Sequence, residues 1–256
     1  MEDFQQQRAA TKTRIRRRGI YLLPNLFTTA ALFAGFYAIV QGMNQRFEDA
    51  AIAIFVAMVL DGLDGRVARL TKTQSAFGAE FDSLSDMVSF GAAPALVMYE
   101  WALRPMEKLG WIAAFVYVAG AALRLARFNT NIDVVDKRFF QGLPSPAAAA
   151  LVAGFLWVSQ AFALTTVAER WVGLVITLYA GLTMVTNVPF YSFKAINLRR
   201  SIPFVVLLAC VLGFALLSLH PPLVLFIAFV LYGVSGYVYL GWRWLRRPRA
   251  SRSRTP

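Results

Sequence analysis

Apolar runs about 20 residues long recur along the 256-residue chain, at about 22–42, 49–69, 80–101, 110–127, 146–166, 170–190, 202–219 and 221–242. A helix of that length crosses the ~30 Å hydrocarbon core of a bilayer, because it rises about 1.5 Å per residue. The expected fold is therefore all-α, a polytopic membrane bundle of eight spans. A composition of 58% hydrophobic and 16% charged residues agrees. No repeat, low-complexity tract or soluble domain interrupts the pattern. The expected organisation is a basic surface segment at 1–20, a six-span core at 21–190, two further spans at 191–245 and a basic tail at 246–256.

Charge gives the expected orientation. With eight spans, 22 of the 26 lysines and arginines fall on one side, in both tails and in the loops at 66–72, 124–138 and 194–200. The other side receives Arg46, Arg104, Lys108 and Arg170. Positive residues accumulate on the cytoplasmic face, so both termini are expected there. The net charge of +12, gathered in tails and loops, suits an anionic lipid surface better than nucleic acid, which is not expected as a partner. The first apolar run lacks an obvious small-residue cleavage site, so no removable signal peptide is expected. Cys210 is the only cysteine, which excludes an intramolecular disulfide and a cysteine metal cluster. His220 reads as an interfacial residue, and Trp101, Trp157, Trp171 and Trp242 as interface anchors.

Against this apolar background, residues 61–86 (DGLDGRVARLTKTQSAFGAEFDSLSD) hold four aspartates. Carboxylates beside membrane spans are costly to keep and usually functional. Asp61 and Asp64 are three apart, and Asp82 and Asp86 four apart, so each pair shares one face of a helix. Two helices can then aim four carboxylates at one point, where hard cations such as Mg²⁺, Mn²⁺ or Ca²⁺ neutralise them. The expectation is a divalent-metal site with two ions. Gly62, Gly65, Ala68, Gly78 and Ala79 let a ligand or a helix approach the same two arms closely. The structural alternative is a buried ion pair with Arg66 or Arg69; another is a cation or proton pathway, which also uses intramembrane acids.

The spacing Asp61-x2-Asp64-Gly65-x2-Ala68-Arg69-x8-Gly78-x3-Asp82-x3-Asp86 resembles, at eight positions without a gap, the signature of the CDP-alcohol phosphotransferases. These membrane enzymes move a substituted phosphate from a CDP-linked donor to an alcohol. Among their branches, DGLDGRVAR, RLARFN and FQGLPSPAAA most resemble the membrane-embedded bacterial and archaeal one that forms phosphatidylserine. The resemblance implies a six-span common core and transfer of the phosphatidyl group of CDP-diacylglycerol to the hydroxyl of L-serine, with CMP released. It implies that Asp61, Asp64, Asp82 and Asp86 bind the metals and that Asp86 is also the base.

By the same resemblance, Gly65, Arg69 and Gly78 fall at the family positions that contact the CDP part, and Ser75 lies in the loop between, where its hydroxyl can meet a phosphate. Pro24 and Asn25 resemble the segment lining the nucleotide pocket, though beginning a helix also explains them. Arg124, Arg127 and Asn129 either snorkel to the interface or bind the carboxylate of serine, with Gln141, Gly142, Pro144 and Pro146 shaping the adjoining loop. A homodimer in the cytoplasmic membrane of a bacterium or archaeon, with the site facing the cytoplasm, completes what the family implies. The same donor chemistry with glycerol 3-phosphate or inositol phosphate as acceptor is the alternative within the family.

Overall fold

The structure is a computed structural model that describes residues 24–71, 73, 75–130, 139–163, 167–192 and 204–246, with the side chains of 204–206, 209 and 210 excepted. The basic segment at 1–20, nearly all of the basic tail and the side chain of Cys210 lie outside the described residues.

Each apolar run becomes a helical segment, as the bilayer demands of a chain that must satisfy its backbone within each segment. Helix α1 spans Pro24–Met43 and turns back through Gln45, at φ 61°, into α2, Phe47–Thr71. Glu48 and Asp49 in its first turn and Arg69 in its last complement the helix dipole. The third run is α3, Ala76–Asp86, continued through a π-helical turn at Met87–Ala92 into α4, Ala93–Met98. A second π turn, Tyr99–Leu103, and a 3₁₀ turn, Arg104–Met106, close it. Pro94 accounts for the first irregularity. It has no N–H for the carbonyl of Phe90, four residues back, and the wider turn relieves the ring's clash there. The Phe90 carbonyl instead accepts a 3.0 Å hydrogen bond from the fully buried Tyr117 hydroxyl.

Next come α5, Lys108–Thr130; α6, Ser145–Ala161; α7, Val167–Val185; α8, Phe204–Leu219; and α9, Pro221–Leu245. Helices α1, α5, α7 and α9 are each long and apolar enough to cross a membrane. Helix α6 buries 13 of its 17 residues, including Ala147–Ala150, and packs against α2, α7 and α9. A helix apolar on all sides belongs at the centre of a bundle. Helices α5 and α7 touch backbone to backbone, since a Cβ on Gly181 would stand 2.7 Å from Tyr117 Cα. Helix α8 lies outermost and packs mainly on α9.

Between α5 and α6 the chain forms a short strand. Strand β1, Phe139–Gln141, pairs antiparallel with β2, Pro189–Tyr191, tying the segment before α6 to the one after α7. Gly142 continues from β1 at φ 77° and donates its N–H to Val188 O at 2.9 Å. A Cβ there would run into the carbonyls of Met184 and Thr186, so only glycine fits. Trp171 and Trp242 are exposed, whereas Trp101 and Trp157 are half-buried and pack on Phe155 and Phe55, with the Trp157 indole N–H donating to Glu48 at 3.2 Å.

Candidate active site

The end of α2 and the start of α3 converge at one end of the bundle, joined by the few residues around Thr73. Thr73 is buried and shares a 2.7 Å hydrogen bond with Thr71. Ser75 caps α3 by accepting the Gly78 N–H at 3.0 Å, as N-terminal helix caps do. This compact turn brings Asp61, Asp64 and Asp82 together, with one carboxylate oxygen from each inside a 4.8 Å cluster. Asp86 lies one helical turn beyond Asp82 on the same face.

Thr28 of α1 donates to Asp64 Oδ2 at 2.6 Å and fixes its rotamer. Ser85 donates to the Thr28 carbonyl at 3.2 Å and locks α1 against α3. Two unit charges about 4.8 Å apart repel by roughly 3 to 4 kcal/mol at an effective dielectric of ~20. Three such pairs approach the stability of a whole domain. The carboxylates therefore need cations or protons beside them.

The donor set favours cations. It is all oxygen and anionic, the preference of hard divalent metals. In addition, Asp82 Oδ1 and Asp86 Oδ1 are buried without a hydrogen-bond partner among the described residues, whereas buried polar atoms ordinarily have one. Beside them, Gly62 and Gly65 on α2 face open space, with nothing within 4 Å of where a Cβ would stand. The small residues of this arm thus leave room for a ligand instead of packing against a helix. Gly78 closes one edge of the site, its Cβ direction meeting Ser75 Oγ at 3.1 Å and Asn25 Oδ1 at 3.4 Å. Asn25, next to Pro24 at the start of α1, thus meets the start of α3. Arg66 and Arg69 are exposed at the end of α2.

The C-terminal end of α5 reaches the same place. Arg124 donates to Ser145 Oγ at 2.6 Å and is near enough to Asp86 to interact with it electrostatically. Asn129 donates to Ser83 Oγ at 3.0 Å, next to Asp82. Arg127 is held differently. Its two terminal nitrogens donate to the carbonyls of Gln141, Met184, Val185 and Thr186 and to Asn187 Oδ1, at 3.1 to 3.3 Å. It gathers the end of α7 and the end of β1 around one guanidinium. Gln141 and Gly142 form that frame, and Pro144 precedes α6.

Sequence reasoning did not single out Thr28, Ser83, Ser145 or Asn187. Thr28 left a signal in lying one helical turn after Pro24, and Ser145 in lying within FQGLPSPAAA. The others depend on contacts between distant segments.

Four helices long and apolar enough to cross a membrane and three aspartates placed to hold a hard cation define a class: polytopic helical membrane proteins with a candidate divalent-metal site. Comparison makes it specific. The CDP-alcohol phosphatidyltransferase family model matches residues 21–186, and the chain belongs to that family. A Helicobacter pylori (strain J99) protein named CDP-diacylglycerol–serine O-phosphatidyltransferase is 35% identical over 225 residues, covering 86% of this chain and 93% of its own length. A Mycobacterium tuberculosis (strain H37Rv) protein of the same name is 32% identical over 223 residues, covering 84% of this chain and 78% of its own. The archaeal protein of that name from Methanocaldococcus jannaschii is 34% identical over 188 residues, covering 72% and 82%.

Proposed function

We propose that this chain transfers the phosphatidyl group of CDP-diacylglycerol to the hydroxyl of L-serine, forming phosphatidylserine and CMP. The observation that carries the reading is the carboxylate cluster beside the open face of Gly62 and Gly65, in a chain whose relatives across bacteria and archaea bear the serine transferase name. An ion pathway would spread its acids through the depth of the bundle, and these four belong to two arms meeting at one end.

Gly65, Gly78, Arg69, Ser75, Pro24 and Asn25 receive the CDP part. The glycines allow close approach, and Arg69 offers a two-pronged donor to phosphate. Serine enters from the α5 side, with its carboxylate toward Arg124 and Asn129, and Gln141 and Gly142 wall the pocket. Arg127, occupied by backbone carbonyls, keeps that wall in place. The serine hydroxyl oxygen bonds to the phosphorus carrying diacylglycerol, the bond from that phosphorus to the CMP oxygen breaks, and Asp86 accepts the hydroxyl proton. Asp61, Asp64, Asp82 and Asp86 would hold two divalent ions, Mg²⁺ or Mn²⁺ or alternatively Ca²⁺, which would supply positive charge to the phosphates and the leaving CMP. The site and both termini face the cytoplasm of a bacterial or archaeal cell, and the enzyme works as a homodimer, as the family resemblance implies.

The test is CMP release from CDP-diacylglycerol by purified protein in detergent, with serine, glycerol 3-phosphate and inositol phosphate offered separately. Release with serine alone is expected. Release with another acceptor and none with serine would keep the donor chemistry and overturn the acceptor.

A further inference from the structure

We infer that α9, which lies beyond the 21–186 matched by the family model, is a positioning element for the acceptor side of the active site, acting through Tyr232, Gly236 and Tyr237. The inference rests on the reading that Arg124, Gln141 and Gly142 border the serine pocket.

Little of helix α9 is buried within the bundle, and the residues it buries are Gly233 and Gly236. Both meet the frame of the site. Gly233 O accepts from the Tyr179 hydroxyl of α7 at 2.8 Å. A Cβ on Gly236 would stand 2.7 Å from the ring of Phe190, a fully buried residue in the middle of β2. Around these glycines, the Tyr232 hydroxyl donates to Tyr191 O at 3.2 Å, and the Tyr237 hydroxyl shares a 2.9 Å hydrogen bond with Thr183 Oγ1. Tyr239 stacks on Phe139 of β1 with ring centroids 5.3 Å apart. Five points of contact thus fix the two-stranded sheet and the end of α7 against one face of α9.

Those two segments are the ones that carry the pocket. Strand β1 leads through Gln141 and Gly142 to Ser145, the partner of Arg124. The Leu143 N–H donates to Thr183 O at 3.2 Å, so the residue that Tyr237 holds by its side chain holds the acceptor loop by its carbonyl. Arg127 joins the same two segments from the opposite side. Helix α9 meets α2 through the Phe229 and Phe55 rings, 6.3 Å apart and outside the 61–86 stretch, so the donor side should respond less than the acceptor side. A displacement of Phe190 or loss of the Tyr232 bond shifts the loop and leaves the metal cluster in place.

The experiment uses the full-length protein in detergent, with Tyr232→Phe, Gly236→Ala and, as a control on the same helix, Gly241→Ala, whose Cβ would meet open space. Apparent KM for serine and for CDP-diacylglycerol are measured separately, together with hydrogen exchange of the Gly142 and Leu143 amides. Tyr232→Phe should raise the serine KM about 3- to 10-fold, the scale of one neutral hydrogen bond, and Gly236→Ala, which presses a Cβ onto the Phe190 ring, should raise it as well. The lipid KM should hold, the two amides should exchange faster, and Gly241→Ala should match wild type. Unchanged serine KM in both variants would overturn the inference, as would an equal rise for both substrates, which marks general loosening. If wild type did not use serine at all, the acceptor reading would fail by itself. Exchange at Gly142 and Leu143 would then still decide the link to α9, with unchanged rates overturning it.

Discussion

Asp64 shows how little of a residue's surroundings its own motif specifies. Spacing places it beside Asp61 on one helical face, but its orientation comes from Thr28, 36 residues earlier, through a 2.6 Å hydrogen bond. A bond from a hydroxyl to a charged acceptor is worth about 1.5 to 3 kcal/mol, so Thr28→Val should cut transfer roughly 10- to 100-fold while the protein remains folded. Steady-state rates and a melting curve in detergent check both halves. Asp61→Asn, Asp64→Asn and Asp82→Asn should each weaken metal binding, visible as a higher metal concentration for half-maximal activity, because an amide lacks the charge that balances a divalent cation. Asp86→Asn should lose turnover most completely, since it removes the proton acceptor as well. Activity persisting in two or more of the four would refute the cluster's role. The serine pocket has its own test in Arg124→Met, for which the serine KM should rise by about 10- to 100-fold, on the same hydrogen-bond scale, with little change for the lipid donor. The aspartates were legible because helical spacing alone brings each pair together. Their polar supports were not, because α1, α3, α5 and α6 meet only in the folded bundle.

Among the elements, the helices were readable to within a few residues, since an apolar run of bilayer length has few other options. The irregularities within them were not. Pro94 sits in an unbroken apolar stretch, and only the packed structure shows the π turn before it and Tyr117 serving the carbonyl that proline cannot. Strands β1 and β2 were missed because three residues carry too little pattern to be told from a loop. What holds them is tertiary: Phe190 in the core, Gly142 in a conformation closed to other residues, and Arg127 across the join. Close packing gives a further prediction. Gly181→Val would press a branched side chain onto the α5 backbone at Tyr117 and should destabilise the protein by about 1 to 3 kcal/mol. Gly213→Val, facing open space on α8, should not. Thermal unfolding in one detergent compares them, and equal melting temperatures would contradict the α5–α7 contact.

On the scale of the whole molecule, the arrangement sets one chemically active end against a bundle built for lipid. The signature arms, the end of α5, β1 and β2 all come to that end, with Arg66, Arg69, Arg124 and Arg127 among the described residues there. The orientation proposed from the charge of the loops can be checked after replacing Cys210. A cysteine at exposed Ala76 should be labelled from the cytoplasmic side of sealed vesicles, and one at exposed Lys108 from the opposite side. Labelling of both from one side would contradict the orientation and the passage of the α3–α4 segment through the membrane. The central claim is that this end transfers a phosphatidyl group to serine at a divalent-metal carboxylate site. Its most direct measurement is incorporation of labelled serine into lipid by purified protein given CDP-diacylglycerol, after exhaustive chelation and then after return of Mg²⁺ or Mn²⁺. The account predicts no labelled lipid after chelation, and phosphatidylserine and CMP in equal amounts once metal is restored. Labelled lipid formed at the same rate in the chelated protein would contradict it.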